Sequence, residues 1–150
     1  MIVYLDASAL VKRYVAEVGS TDVRHLIAQA EIVGSSLVSR AEVAAALGKA
    51  VRLKVLTRDE AAGALRVFRS QWADLIRVQP TETIAARADG LAWEHRLRGY
   101  DAMHLATALF WQDTLGEAVT LATFDRPLWQ ATQDTGMLPW PKDLNQFTNL

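Results

Sequence analysis

Short apolar runs alternate along the chain with longer stretches of helical spacing. Ile2-Val3-Tyr4-Leu5 is unbroken, β-branched and aromatic, which fits a strand covered on both faces. A helical stretch to about Ala16 follows Asp6-Ala7-Ser8. Gly19-Ser20-Thr21-Asp22 then offers caps for a helix carrying Val23, Leu26, Ile27 and Ala30 on one side. Ile32-Val33-Gly34-Ser35 reads as a second strand, and the Ala-rich segment from about Arg40 to Lys54 as a helix that tolerates Gly48 at a cost of about 1 kcal/mol. Thr57 with Glu60 makes a capping box. Behind it Leu65, Phe68, Trp72 and Leu75 recur at the spacing of one helix face.

Leu75-Ile76-Arg77-Val78 is a third strand that Pro80 stops. Thr81 caps the next helix, with Ile84, Ala88, Leu91, Ala92 and His95 on one side. Gly99 breaks that pattern before an apolar helix from about Asp101 to Asp113. Ala118 to Ala122 is a fourth strand, and Asp125-Arg126-Pro127 opens a short helix with Pro in the first turn. The tail after Gly136, with Pro139 and Pro141, allows one more short strand. Strands alternating with helices predict a three-layer α/β/α sandwich around a parallel sheet, wound by right-handed crossovers. Ligands of such sheets lie beyond the carboxyl ends of the strands.

Composition narrows the picture. The chain has 150 residues, 51% hydrophobic, with 16 Lys+Arg against 17 Asp+Glu and no Cys. That suits one domain over residues 1–150, soluble and cytoplasmic, with no disulfide, thiolate metal site or Cys nucleophile. No apolar run approaches the ~18 residues of a membrane helix. The N-terminus lacks the basic flank of a signal peptide.

The candidate chemistry is acidic. Asp6 ends the first strand, Asp125 follows the fourth by three residues, and Asp101 opens a helix after Gly99. Glu42 interrupts an apolar helical stretch where an acid is poorly explained as decoration. Taken singly, Asp6 and Asp125 suit helix caps, Asp101 a first-turn acid, and Glu42 an exposed helix position. Taken together they would repel, by roughly 3 kcal/mol for each pair about 5 Å apart at an effective dielectric near 20, and so would call for a cation. An all-oxygen donor set favours Mg²⁺ or Mn²⁺ over Zn²⁺.

The segments Asp6-Ala7-Ser8-Ala9-Leu10, Glu42 in its helix, Tyr100-Asp101-Ala102-Met103-His104-Leu105-Ala106 and Leu121-Ala122-Thr123-Phe124-Asp125-Arg126-Pro127 resemble, in order and spacing, those of PIN-domain nucleases. The likeness is greatest to the VapC toxins of toxin–antitoxin pairs. The resemblance implies a Rossmann-like fold and Mg²⁺- or Mn²⁺-dependent endonucleolytic cleavage of RNA, leaving a 5′-phosphate and a 3′-hydroxyl with no covalent enzyme intermediate. It makes Asp6, Glu42, Asp101 and Asp125 the catalytic, metal-holding quartet, with Ser8 and Thr123 supporting them. It also implies a homodimer held inactive by a cognate antitoxin.

Lys49, Arg52, Lys54 and Arg58 form an acid-free basic stretch, and Arg96, Arg98 and Arg126 flank two of the segments. Lys49, Arg52 and Arg126 are the candidate RNA-phosphate contacts, against a solvated basic helix that only aids solubility. His104 reads as a hydrogen-bonded wall residue, and the tryptophans as packing. The rival functions are a phosphatase with Asp6 as nucleophile, and a non-catalytic acidic-pocket or phospho-receiver module. The first wants a second acid at position 8, where Ser8 stands, and the receiver wants a late-strand Lys. Neither GxGxxG nor a Walker loop is present.

Overall fold

The computed structural model describes residues 1–147. The first apolar run forms the middle strand, β1 (Ile2–Leu5), and all four of its residues are buried. It pairs in parallel with β2 (Ile32–Ser36) on one side and β4 (Val119–Ala122) on the other. β3 (Ile76–Val78) and β5 (Leu138–Trp140) are the edges, giving the order β3-β2-β1-β4-β5 with every pair parallel. The expected parallel sheet is therefore present, and the short strand allowed in the tail is β5.

Alternation within β1 explains why it has no wet face. Val3 and Leu5 point into one core with Leu10, Val23, Val43 and Phe68; Ile2 and Tyr4 point into the other with Ile84, Leu105, Leu121 and Leu128. Burying Val3 and Leu5 completely contributes about 1.5–3 kcal/mol each. The first core is covered by α1 (Ala7–Leu10), α2 (Ser20–Gln29), α3 (Ser39–Arg52) and α4 (Arg58–Gln71). The second is covered by α5 (Glu82–His95), α6 (Gly99–Leu115) and α7 (Arg126–Asp134). Connections from β1 run toward β2 and β3, and those from β4 run toward β5. The winding thus reverses between β1 and β4, and there the sheet opens a crevice.

Several elements differ from expectation. The first helix ends after one α-turn and a 3₁₀ turn at Val11–Arg13, well short of Ala16. The Ser20 hydroxyl explains this: it donates to the Val15 carbonyl and accepts from the Glu17 N–H, folding the chain into a turn. α3 stops at Arg52 because Lys54 turns left-handed (φ 58°). Trp72 closes α4 in a 3₁₀ turn, and Leu75 precedes β3 without joining it. Gly99 starts α6, because the break falls earlier, at Arg96, whose left-handed backbone (φ 55°) caps α5. Trp93 is 90% exposed, since it lies half a turn from the Ile84–Ala88 stripe that faces the core. No helix among the described residues is long and apolar enough to cross a membrane.

Candidate active site

Asp6 leaves β1 at its carboxyl end and is 4% exposed. It caps α1 by accepting the Ala9 N–H on Oδ1 at 2.9 Å. The Ser8 hydroxyl donates to that same oxygen at 2.7 Å, and the Thr123 hydroxyl donates to Oδ2 at 2.6 Å. Ser8 in turn accepts the Phe124 N–H, and Thr123 accepts the Asp125 N–H. These bonds join the loops after β1 and β4 across the point where the winding reverses. Burial pushes the Asp6 carboxyl above its ordinary range, opposed by the charge of His104 and by the donated hydrogen bonds.

Asp125 caps α7 through Oδ1, which accepts the Leu128 N–H at 3.1 Å. Its Oδ2 accepts from Arg98 Nη2 at 2.7 Å, while Arg98 Nε donates to Asp101 Oδ2 at 3.0 Å. One guanidinium therefore bridges two acids delivered by different elements. Asp101, in the first turn of α6, is raised by burial first and by repulsion from Asp125 second, with Arg98 opposing both. Asp6 and Asp125 are thus helix caps with a second oxygen bonded elsewhere in the cluster, while Asp101 caps nothing.

Glu42 stands in the first turn of α3 and accepts a 2.7 Å hydrogen bond from His104 Nε2. The other ring nitrogen, Nδ1, shares a 2.8 Å hydrogen bond with the Tyr4 hydroxyl. His104 is only 2% exposed. Burial works against a charged ring, but the bond to Glu42 and the charges of Asp6, Glu42 and Asp101 outweigh it and hold the imidazole above its ordinary pKa. Tyr4 is raised well above the usual phenol range, by burial first and then by Asp6 and Glu42.

Asp6, Asp101 and Asp125 are thus joined at one end of the sheet through Thr123 and Arg98, while Glu42 is held by His104, whose charge acts on Asp6 and Asp101. His104 is the hydrogen-bonded wall residue expected, with Glu42 as one partner, whereas Arg98, read from the sequence only as a basic residue flanking a segment, reaches into the acids. Their spacing carried a signal: residues 98, 101 and 104 recur every three positions, one face of a helix start. The other basic candidates stand apart. Lys49 is exposed on α3, Arg52 lines an α3–α4 groove with Arg58 and Leu65, and Arg126 donates to Asn145. Next to the acids, Ser8 and Phe124 form one end of a groove of about 410 Å³, otherwise lined by side chains such as Val11, Val15, Ala50 and Leu56.

Carboxylates and hydroxyls are the donors that hard divalent cations take, and no sulfur competes. By kind the residues fit such an ion. As arranged, their charges are met by Arg98 and His104 instead, and among the described residues no three His, Asp or Glu side chains surround one point.

An open parallel sheet with acids at the carboxyl ends of β1 and β4, beside its winding reversal, defines an α/β protein of the three-layer class. The PIN domain model matches residues 3–131, and the chain belongs to that family. It is 38% identical over 144 residues to ribonuclease VapC45 of Mycobacterium tuberculosis, covering 96% of this chain and 98% of that one. In fold it is similar to PAE2754 of Pyrobaculum aerophilum (TM-score 0.65, 21% identity, 100% and 91% of the two chains). It is likewise similar to a chain of VapBC2 from Rickettsia felis, bound there to a fragment of promoter DNA (TM-score 0.63, 14% identity, 93% and 97%). PIN-domain ribonucleases use divalent metal ions as a class. The phospho-receiver alternative falls with this membership, and Ser8, where the phosphatase wanted a second acid, is a donor to Asp6.

Proposed function

We propose that this chain is a Mg²⁺- or Mn²⁺-dependent endoribonuclease and the toxin of a toxin–antitoxin pair, acting as one domain over residues 1–150 in the cytoplasm. What supports the reading is the tie between Asp6, Asp101 and Asp125 at the β1–β4 crevice through Thr123 and Arg98, with Glu42 held on His104, in a chain 38% identical to a VapC ribonuclease over 96% of its length. Asp6, Asp101 and Asp125 would hold the ion with Glu42 completing the set. A bound divalent ion supplies a nucleophilic water near neutral pH and stabilises the leaving oxygen of the phosphodiester.

The chain's own residues do the rest. Ser8 and Thr123 fix both oxygens of Asp6, so its orientation is set before any ligand arrives. His104 holds Glu42 from the opposite side, anchored by Tyr4. The strand ends deny the carboxylates most of their water, which strengthens their hold on a cation. Lys49, Arg52 and Arg126 would meet RNA phosphates outside this crevice.

The apolar groove running from Ser8 and Phe124 past Val55, itself 69% exposed, is where we place the inhibitory antitoxin segment. The small-residue surface between α5 and α6, bordered by exposed Tyr100, is where we place the partner of a homodimer.

The test compares wild type with Asp6→Asn and Asp101→Asn on structured RNAs, with Mg²⁺, with Mn²⁺ and with EDTA. Wild type should cleave only with the ions, and each variant should lose about 10³-fold, ~4 kcal/mol of transition-state stabilisation. Equal cleavage by all three proteins would remove the proposed site.

A further inference from the structure

We propose that Arg98 is a resident counter-ion of the Asp101–Asp125 pair, which a divalent cation must displace before those two acids can serve it. The inference rests on the metal-dependent reading above and adds a step that reading does not contain: occupancy of the site is a competition between an external ion and an arginine of the same chain.

The atoms make the competition direct. Asp125 turns Oδ1 to the Leu128 N–H at the start of α7, and Arg98 Nη2 occupies its other oxygen, Oδ2, at 2.7 Å. On Asp101, Arg98 Nε occupies Oδ2 at 3.0 Å. An ion bridging the two acids through these Oδ2 atoms needs the positions the guanidinium holds.

Exposure shows which partner moves. The Asp101 and Asp125 side chains are 12% and 20% exposed, but that of Arg98 is 78% exposed. The acids are fixed by a helix turn and a cap, whereas the arginine comes from the N-cap position of α6 on a long flexible stem. Exposed ion pairs hold weakly, since water and salt compete for both ends. A divalent charge seated among the acids would repel the guanidinium that it replaces.

The experiment is a Mn²⁺ titration of the EDTA-stripped full chain, with free ion counted by electron paramagnetic resonance. Arg98→Gln keeps a polar side chain but removes the charge, and should bind Mn²⁺ about tenfold more tightly, ~1.4 kcal/mol. Arg98→Lys keeps the charge on a compact head that cannot span both carboxylates, and should fall between the two. Thermal melts of each variant verify that the fold is intact.

Equal or weaker binding by Arg98→Gln overturns the proposal. Asp101→Asn separates that outcome from failure of the site itself. If it loses Mn²⁺ while Arg98→Gln gains nothing, only the counter-ion role falls. If it binds as wild type does, or if no protein binds the ion, both readings fall.

Discussion

Asp6 and Asp101 stand at the same end of one sheet, both largely out of water, yet their charges are met in opposite ways. Around Asp6 the partners are a backbone N–H and two hydroxyls carried by the strand-end loops themselves. Around Asp101 and Asp125 the main partner is a guanidinium that is mostly in solvent. The first arrangement is fixed by the fold and neutral in its donors, so it orients the carboxylate without cancelling its charge. The second cancels charge with a group that can leave. A site that must be orderly when empty and still accept a cation needs both kinds of neutralisation, and this chain places them side by side.

Breaking the fixed half has the largest expected effect. Thr123→Val preserves shape but leaves Asp6 Oδ2 without its donor and the Asp125 N–H without its acceptor. Orphaning buried groups in this way costs about 1–3 kcal/mol of stability, read from denaturant midpoints. Loss of an orienting partner should also lower RNA cleavage by roughly 10–100-fold. Arg98→Gln gives the contrast: an exposed charge removed from a replaceable contact should move the midpoint by under about 0.5 kcal/mol. If the two variants melt alike, the distinction between a fixed and a replaceable half is wrong.

His104→Gln ranks next. Glutamine can reach toward Glu42 with its amide but cannot also serve Tyr4 as the imidazole does. Cleavage should fall by about tenfold, in the lower part of the range for removing a partner that acts through a ligand. The readout that separates positioning from simple loss of packing is the split of the kinetic constants: kcat should carry the loss, with KM for RNA little changed. A loss confined to KM would place His104 on the substrate side and sever it from Glu42.

What could be read from the sequence follows from how local each cause is. The strand at Ile2–Leu5, the Thr57–Glu60 box and the caps at Thr81 and Asp125 depend on neighbours within four residues, and all are present. The first helix was overextended because the serine that ends it acts through two backbone bonds that no periodicity reports. Gly34 looked like an ordinary strand residue, but a Cβ there would meet the Trp111 ring at 2.6 Å, a constraint set by a helix 77 positions away. The acids were individually visible by type and by their place at element ends. Their shared cations were not, because the Tyr4–His104 and Arg98–Asp125 contacts span 100 and 27 residues.

The smallest effect tests the charge balance of the whole cluster, through the stability of the metal-free protein against pH. His104 has a folded pKa above its unfolded value of about 6.5. Its contribution is therefore complete below that value and is lost as pH rises through the folded pKa. Asp6 and Asp101 are also raised, so the fold prefers their neutral forms. Their charged forms weaken the protein above the folded pKa, and stability returns as pH falls through it.

His104 gives the slope its sign in this range, so the EDTA-stripped chain should melt higher at pH 6 than at pH 8, by a few degrees for each ~1 kcal/mol gained, with the two carboxyls acting in the same direction at lower pH. Asp101→Asn removes one of the charges that hold His104 up and should flatten the slope. Saturating Mn²⁺ should flatten it further, because an ion that binds the ionised carboxylates stabilises the fold most where they are deprotonated. A melting temperature that rises steadily from pH 6 to pH 8 without metal would mean that the protein's own cations already overcompensate the acids, leaving no electrostatic demand for an external one.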